Sequence, residues 1–147
     1  MSRRYTVIKK FSFDAAHRLM LDYDSACQQL HGHTWRVIVE VVSGRLNDVG
    51  MVLDFTEIGK IAKQFDHQFV NEVLNPTVDK GVLLESRDYA AFINPTAENI
   101  AEYMMDILNL RIKELVIEGK VVTDTRVKAV TVMETEGNMA IVEDDNA

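Results

Sequence analysis

The chain has 147 residues, 47 % hydrophobic and 27 % charged, which is the ordinary balance of a soluble globular protein. Sixteen Lys and Arg against 23 Asp and Glu leave a net charge of −7, which argues against a general nucleic-acid binder. The single cysteine, Cys27, excludes an intrachain disulfide, and no apolar run approaches the length of a membrane span.

In chain order, Met1-Ser2-Arg3-Arg4-Tyr5 has charge but no apolar stretch behind it, so a cytoplasmic protein without a secretory signal is expected. Residues 5–16 read as a strand, and residues 33–43 are the clearest strand, with Trp35, Val37, Val39 and Val41 on one face by the two-residue repeat. A helix over 55–67 carries Ile58, Ile61, Ala62 and Phe65 at helical spacing, with Asp54 as N-cap and Glu57 as its capping-box partner. Residues 76–95 read as an ordered excursion, with a short strand at Val82-Leu83-Leu84 and a helical turn around Asp88–Phe92. A longer helix over 97–117 has Ala97, Ile100, Ala101, Met104, Ile107 and Leu108 on one stripe, and Thr96 stands at its N-cap. Strands over 126–135 and 138–143 follow, joined by a turn at Gly137-Asn138. The pattern is α+β: one domain, 1–147, with a four-stranded antiparallel sheet and two helices on one face (ββααββ). Asn75-Pro76-Thr77 recurs as Asn94-Pro95-Thr96, which reads as two similar turn-and-cap signals.

The histidines carry the chemistry. His31 and His33 are two apart where the best strand begins, so both rings project from one face. His17 ends the preceding strand and faces the same point if the two strands pair. Three imidazoles with an open position are the donor set of a catalytic zinc, whereas structural zinc sites are closed by four protein ligands. Cys27, in a polar loop before His31, is open to three roles: fourth zinc ligand, buried filler or catalytic thiol. His67 follows Asp66, and neighbours on a helix do not face each other, so a relay between them needs the freer geometry of a helix end. Glu134 continues the apolar face of Val130 and Val132. It either meets a ligand with two parallel N–H donors or lies in solvent at the strand end. Because it stands on a different strand from the histidines, its substitution is expected to leave the metal in place.

Six ordered segments carry a resemblance: Phe-Ser-Phe-Asp-Ala-Ala-His-Arg-Leu (11–19), Cys-Gln-Gln-Leu-His-Gly-His (27–33), Gly-Met-Val-Leu-Asp-Phe (50–55), Phe-Asp-His-Gln-Phe-Val-Asn (65–71), Pro-Thr-Ala-Glu-Asn (95–99) and Met-Glu-Thr (133–135). Over residues 4–143 the chain resembles the 6-pyruvoyl-tetrahydropterin and 6-carboxy-tetrahydropterin synthase family. The resemblance implies the tunnelling fold, assembled as two stacked trimers into a homohexamer. It also implies zinc on His17, His31 and His33, Cys27 as proton-abstracting base, and Asp66 and His67 supporting it across a subunit boundary. Glu134 would anchor the pterin ring and join the proton relay, with Thr96 and Glu98 near the pterin pocket.

Three residues between Cys27 and His31 are similar to the bacterial 6-carboxy enzymes of the queuosine pathway. The implied reaction converts 7,8-dihydroneopterin triphosphate to 6-carboxy-5,6,7,8-tetrahydropterin, acetaldehyde and triphosphate. Alternatives are the 6-pyruvoyl product from the same substrate, or a non-catalytic structural zinc module closed by Cys27. Lys9, Lys10 and Arg18 are the first candidates for holding the triphosphate. Two departures from the family pattern stand out: a longer segment from His67 to Pro95, and Trp35 where Tyr is commoner.

Overall fold

Alternating apolar and polar residues fold β1 (Tyr5–His17) and β2 (His31–Ser43) into a long antiparallel pair, in register from Tyr5↔Ser43 to His17↔His31. In the computed structural model, which describes residues 2–146, β3 (Arg126–Thr135) pairs with β2 and β4 (Asn138–Glu143) with β3. The sheet order is β1-β2-β3-β4, all antiparallel. Its inner face carries Phe13, Trp35, Val37, Val39, Val41, Val130 and Val132, all buried. Helices α1 (Phe55–Phe65) and α4 (Ala97–Ile117) cover this face, α1 over β1 and α4 over β3 and β4.

Local chemistry explains where the helices begin and end. The Asp54 carboxylate accepts from the Thr56 N–H at 2.9 Å and caps α1. Glu57 does not close a capping box. Its carboxylate instead takes Lys60 and Arg111, each at 3.0 Å, and joins α1 to α4. The Thr96 hydroxyl caps α4 by accepting from the Asn99 N–H at 3.1 Å. At the other end Gly119, at φ 75°, turns the chain out of the helix. Ile100, Met104, Leu108 and Ile112 of α4 are buried, and such side chains contribute about 1.5–3 kcal/mol each. Ile107 is only partly buried, at the margin of that stripe.

Two expectations for the middle of the chain are corrected. The long helices are supplemented by two short ones, α2 (Val70–Leu74) and α3 (Lys80–Glu85). Val82-Leu83-Leu84 is therefore helical, not a strand. Among the described residues no neighbouring strand lies there to pair with it, so backbone bonds are met locally, under an Asp79 cap on the Gly81 N–H at 2.7 Å. Leu83 alone of these three is buried. Around Asp88–Phe92 the chain forms a turn, in which the Asp88 carboxylate accepts from the Ala90 and Ala91 N–H groups, both at 3.1 Å.

The repeated Asn-Pro-Thr does more than mark turns. Asn75 accepts from the Ile93 N–H at 2.8 Å and donates to the Ile93 carbonyl at 2.9 Å. Asn94 holds Met20 in the same two-way manner, at 2.8 and 3.0 Å. Only the second threonine caps a helix; α3 is capped by Asp79 and not by Thr77. Among the described residues no helix is long and apolar enough to cross a membrane.

Candidate metal centre

The register of the first two strands builds the site. His17 and His31 are direct partners, His33 lies opposite Ala15, and Trp35 lies opposite Phe13. All three imidazoles thus stand on the inner face, one layer beyond Trp35 at the end of the core. The indole stacks on Phe13, with ring centres 6.0 Å apart, and donates from Nε1 to the Ala15 carbonyl at 3.2 Å. The rings of His17 and His33 meet the indole edge-on, at 4.8 and 5.2 Å. Trp35 is therefore the floor of the cluster.

Two main-chain carbonyls decide where the imidazole protons sit. His17 Nδ1 is 2.8 Å from the Pro95 carbonyl, and His31 Nδ1 is 2.6 Å from the Gln29 carbonyl. A carbonyl only accepts, so in each neutral ring Nδ1 carries the hydrogen and Nε2 keeps its lone pair. Those two Nε2 atoms face each other at 3.1 Å. Two lone pairs at that distance repel unless something positive lies between them. Burial pushes the His17 pKa below 6.5, against the raising effect of its Pro95 bond, so a proton is poorly suited to that role.

Glu134 completes the group. It follows Val130 and Val132 on the inner face of β3, and its Oε1 lies 2.9 Å from His33 Nε2 and 3.3 Å from His17 Nε2. The approach to His33 lacks hydrogen-bond alignment, so that buried Nε2 has no hydrogen-bond partner. The donor atoms of His17, His31, His33 and Glu134 all lie within 4.8 Å of one another. Zinc ligands stand about 2.0–2.2 Å from the ion, so the cluster has the dimensions to close on one cation. An orphaned buried nitrogen, two opposed lone pairs and a carboxylate are a donor set that fits a metal. The carbonyl bonds behind His17 and His31 are the outer-shell contacts that fix metal-binding rings.

The other expected site residues lie outside this group. Cys27 sits half-buried on a 3₁₀ turn, Ala26–Gln28, and its sulfur is not among the clustered donors. The fourth residue of the group that could hold a metal is Glu134, whose side chain is 26 % exposed and so is not a freely solvated strand end. Adjacent strands of a sheet are only about 4.8 Å apart, so a different strand means a neighbouring residue here. Asp66 and His67 form a corner of their own after α1. His67 adopts φ 60°, in the left-handed region, which brings Nδ1 to 3.1 Å from the Asp66 carboxylate. The Asp14 N–H, ahead of His67, holds the Asp66 carboxyl below its usual range. His67 is 79 % exposed, so its ring is presented outward. Glu98 is exposed on the first turn of α4.

The basic candidates are also displaced. Lys10 precedes His17 by seven residues, roughly 24 Å of strand at about 3.4 Å per residue, and Lys9 is one residue farther. Arg18 is buried and spends its guanidinium on main-chain carbonyls of Gln28, Leu83 and Ser86. None of the three therefore stands ready for a phosphate at this chain's own cluster. Asn71, Asn75 and Asn94 were not among the expected site residues. Their side-chain bonds hold Arg18, Ile93 and Met20, the segments around His17 and Pro95. The recurring Asn-Pro-Thr was the available signal for two of them. A separate cavity of about 600 Å³, lined by Tyr23, Tyr89, Phe92, Thr96 and Tyr103 among others, lies against the Asn94–Thr96 segment.

The pattern of this chain recurs in known proteins. The family described as 6-pyruvoyl tetrahydropterin synthase matches residues 6–145. The 6-carboxy-5,6,7,8-tetrahydropterin synthase of Haemophilus influenzae is 35 % identical over 117 residues, covering 71 % of this chain and 82 % of the relative. A protein of the same name from Synechocystis is 33 % identical over 109 residues, covering 68 % and 71 %. The solved structure of Caenorhabditis elegans 6-pyruvoyl tetrahydropterin synthase matches over 97 % of both chains, with a TM-score of 0.64. At 21 % identity that likeness concerns the fold.

Proposed function

This chain belongs to the 6-pyruvoyl tetrahydropterin synthase family, and from that premise we propose that it is a zinc-dependent 6-carboxy-5,6,7,8-tetrahydropterin synthase. It converts 7,8-dihydroneopterin triphosphate and one water to 6-carboxy-5,6,7,8-tetrahydropterin, acetaldehyde and triphosphate, in the pathway to queuosine. The observation that carries a metal enzyme is the pair of Nε2 lone pairs facing each other at 3.1 Å, each set by a main-chain carbonyl behind its ring. The 6-carboxy product rests on the names of the relatives and on the three residues between Cys27 and His31.

Bound by His17, His31 and His33, zinc supplies a Lewis acid for oxygens of the substrate side chain. The protein's own groups do the rest. Cys27 takes a proton from carbon as its thiolate, and triphosphate departs. The Asp66–His67 corner supports proton transfer, in a site shared with a neighbouring subunit. Glu134 receives the paired N–H donors of the pterin edge, and Thr96 and Glu98 border that pocket.

The outward display of His67 supports a shared site. So do the outer edges of β4 and of β1 ahead of Asp14, which pair with no other strand among the described residues, and the exposed Ile8, Met139 and Ile141 on those strands. A homohexamer of two trimers closes those edges, with a mass of about 100 kDa from chains of 16.7 kDa. Sedimentation of a stable monomer at micromolar concentration would remove the shared site.

Mass spectrometry of the product formed from dihydroneopterin triphosphate by the zinc-loaded protein is the direct test. Release of acetaldehyde with a one-carbon carboxylate at C6 is expected. Retention of the three-carbon side chain would instead identify the 6-pyruvoyl reaction. No turnover with zinc bound through Cys27 would leave the structural module.

A further inference from the structure

Arg18 follows a candidate metal ligand directly, yet its side chain turns away from the cluster. It is 5 % exposed, and no carboxylate pairs with it among the described residues. A buried cation without a counter-ion is costly unless its donors are all well used. Here the hydrogen bonds it makes, from Nε and Nη1, all go to main chain. Nε donates to the Gln28 carbonyl at 3.0 Å, and Nη1 to the carbonyls of Leu83 at 3.0 Å and Ser86 at 2.6 Å. Gln28 ends the turn that carries Cys27, while Leu83 and Ser86 lie at the C-terminal end of α3. The last carbonyls of a helix lack partners of their own and are its negative end.

We propose that Arg18 is a positioning residue for Cys27, tying the cysteine turn to α3 and so fixing where the thiol stands relative to the histidines. The main chain of Arg18 is itself immobilised, since Asn71 accepts from its N–H at 3.1 Å and donates to its carbonyl at 2.9 Å. From this anchored point two bonds bracket the cysteine: the Arg18 guanidinium holds the carbonyl after it, and the Leu19 N–H holds the Cys27 carbonyl at 2.8 Å. A planar guanidinium serves acceptors in two directions at once. A lysine ammonium, a point charge on a flexible stem, does not span the turn and α3 with fixed geometry. The excursion between His67 and Pro95 thereby gains a purpose, because α3 within it supplies the far end of the tie. The inference rests on Cys27 being the base of the proposed reaction.

The test compares Arg18→Lys, Gln28→Ala and Cys27→Ala as zinc-loaded, assembled proteins. A misplacement of about 1 Å costs on the order of a hundredfold in rate, so Arg18→Lys should lose roughly that much kcat while KM stays within about threefold. Its zinc content should match the wild type, because the histidines are held by other carbonyls. Labelling of Cys27 by iodoacetamide should become faster as the turn loosens. Faster labelling with slower turnover is a signature that general destabilisation with metal loss does not give. Gln28→Ala removes the side-chain bond from the same turn to the Leu21 carbonyl, at 2.8 Å. It should show the same opposed changes at smaller size, and it carries the test if Arg18→Lys does not fold. Wild-type kcat and labelling in the folded variants, with Cys27→Ala inactive, overturn the positioning role alone. Full turnover by Cys27→Ala overturns the reading of Cys27 as base, and with it the inference.

Discussion

His17 and His67 are the same residue type put to opposite uses. His17 is 1 % exposed, with its proton assigned by the Pro95 carbonyl and its ring packed on Trp35. His67 is 79 % exposed and is aimed by its own left-handed backbone and by Asp66. The first belongs to a cluster whose four candidate donors come from one chain; the second is presented outward, and among the described residues its ring pairs only with Asp66. In the proposed shared site, each protomer would hold its own metal while the chemistry would wait for a neighbour's His67.

The largest expected effect falls on the self-contained region. His31→Ala removes one donor and one of the two opposed lone pairs. Since even outer-shell losses cost about 10–100-fold in metal affinity, a drop beyond about a hundredfold is expected in chelator competition. Unchanged zinc affinity would mean that the metal is held elsewhere.

His67→Ala should lower kcat by about 10²–10⁴-fold, the usual scale of a lost acid–base group, while zinc content stays at the wild-type level. Mixing sharpens the contrast. Hybrid oligomers of His67→Ala and Cys27→Ala chains should regain activity, because some sites then draw both intact residues from different chains. No recovery in verified hybrids would place both residues in one protomer's site.

Glu134→Gln lies between the two regions. Truncating a buried charged hydrogen-bond pair costs about 2–5 kcal/mol, so calorimetry should find pterin binding weakened by at least about thirtyfold. Given its 2.9 Å approach to His33, zinc affinity should also fall, by a smaller factor. Wild-type pterin affinity would show that the pterin is anchored by other groups.

The smallest effect concerns stability in acid. The Arg111 guanidinium, then Lys60, holds the Glu57 carboxyl below its ordinary 4.5, outweighing burial. Its folded-state pKa is depressed, so its contribution is present above 4.5 and is lost as pH falls through the folded value. Arg111→Met should therefore reduce thermal stability near neutrality and flatten its decline below pH 4.5. Salt should shrink the difference, since Arg111 is partly solvated. Parallel melting curves for the two proteins at every pH would remove this link between α1 and α4.

The elements that repeat a period were legible in the sequence. Residues 97–117 form one helix with the expected ends, and 126–135 and 138–143 are the expected strands. Period-two reasoning also put His31 and His33 on one face and left His17 free to join them. The rest depends on partners distant in sequence. Val82–Leu84 has strand composition but no strand to pair with. Glu134 reads as remote until β3 is set beside β2. Arg18 looks like a surface cation beside a motif until Leu83 and Ser86, more than sixty residues away, arrive to take its donors.

Trp35 has an optical consequence. It is the only tryptophan in the chain, fully buried, with the rings of His17 and His33 against its indole. Its emission is therefore free of overlap from other indoles and comes from the floor of the metal cluster. Any change in what those two imidazoles hold alters the field and the quenching at one chromophore. Added zinc and a chelator can then be followed in real time by fluorescence at the proposed centre, with no dye attached and no substrate consumed.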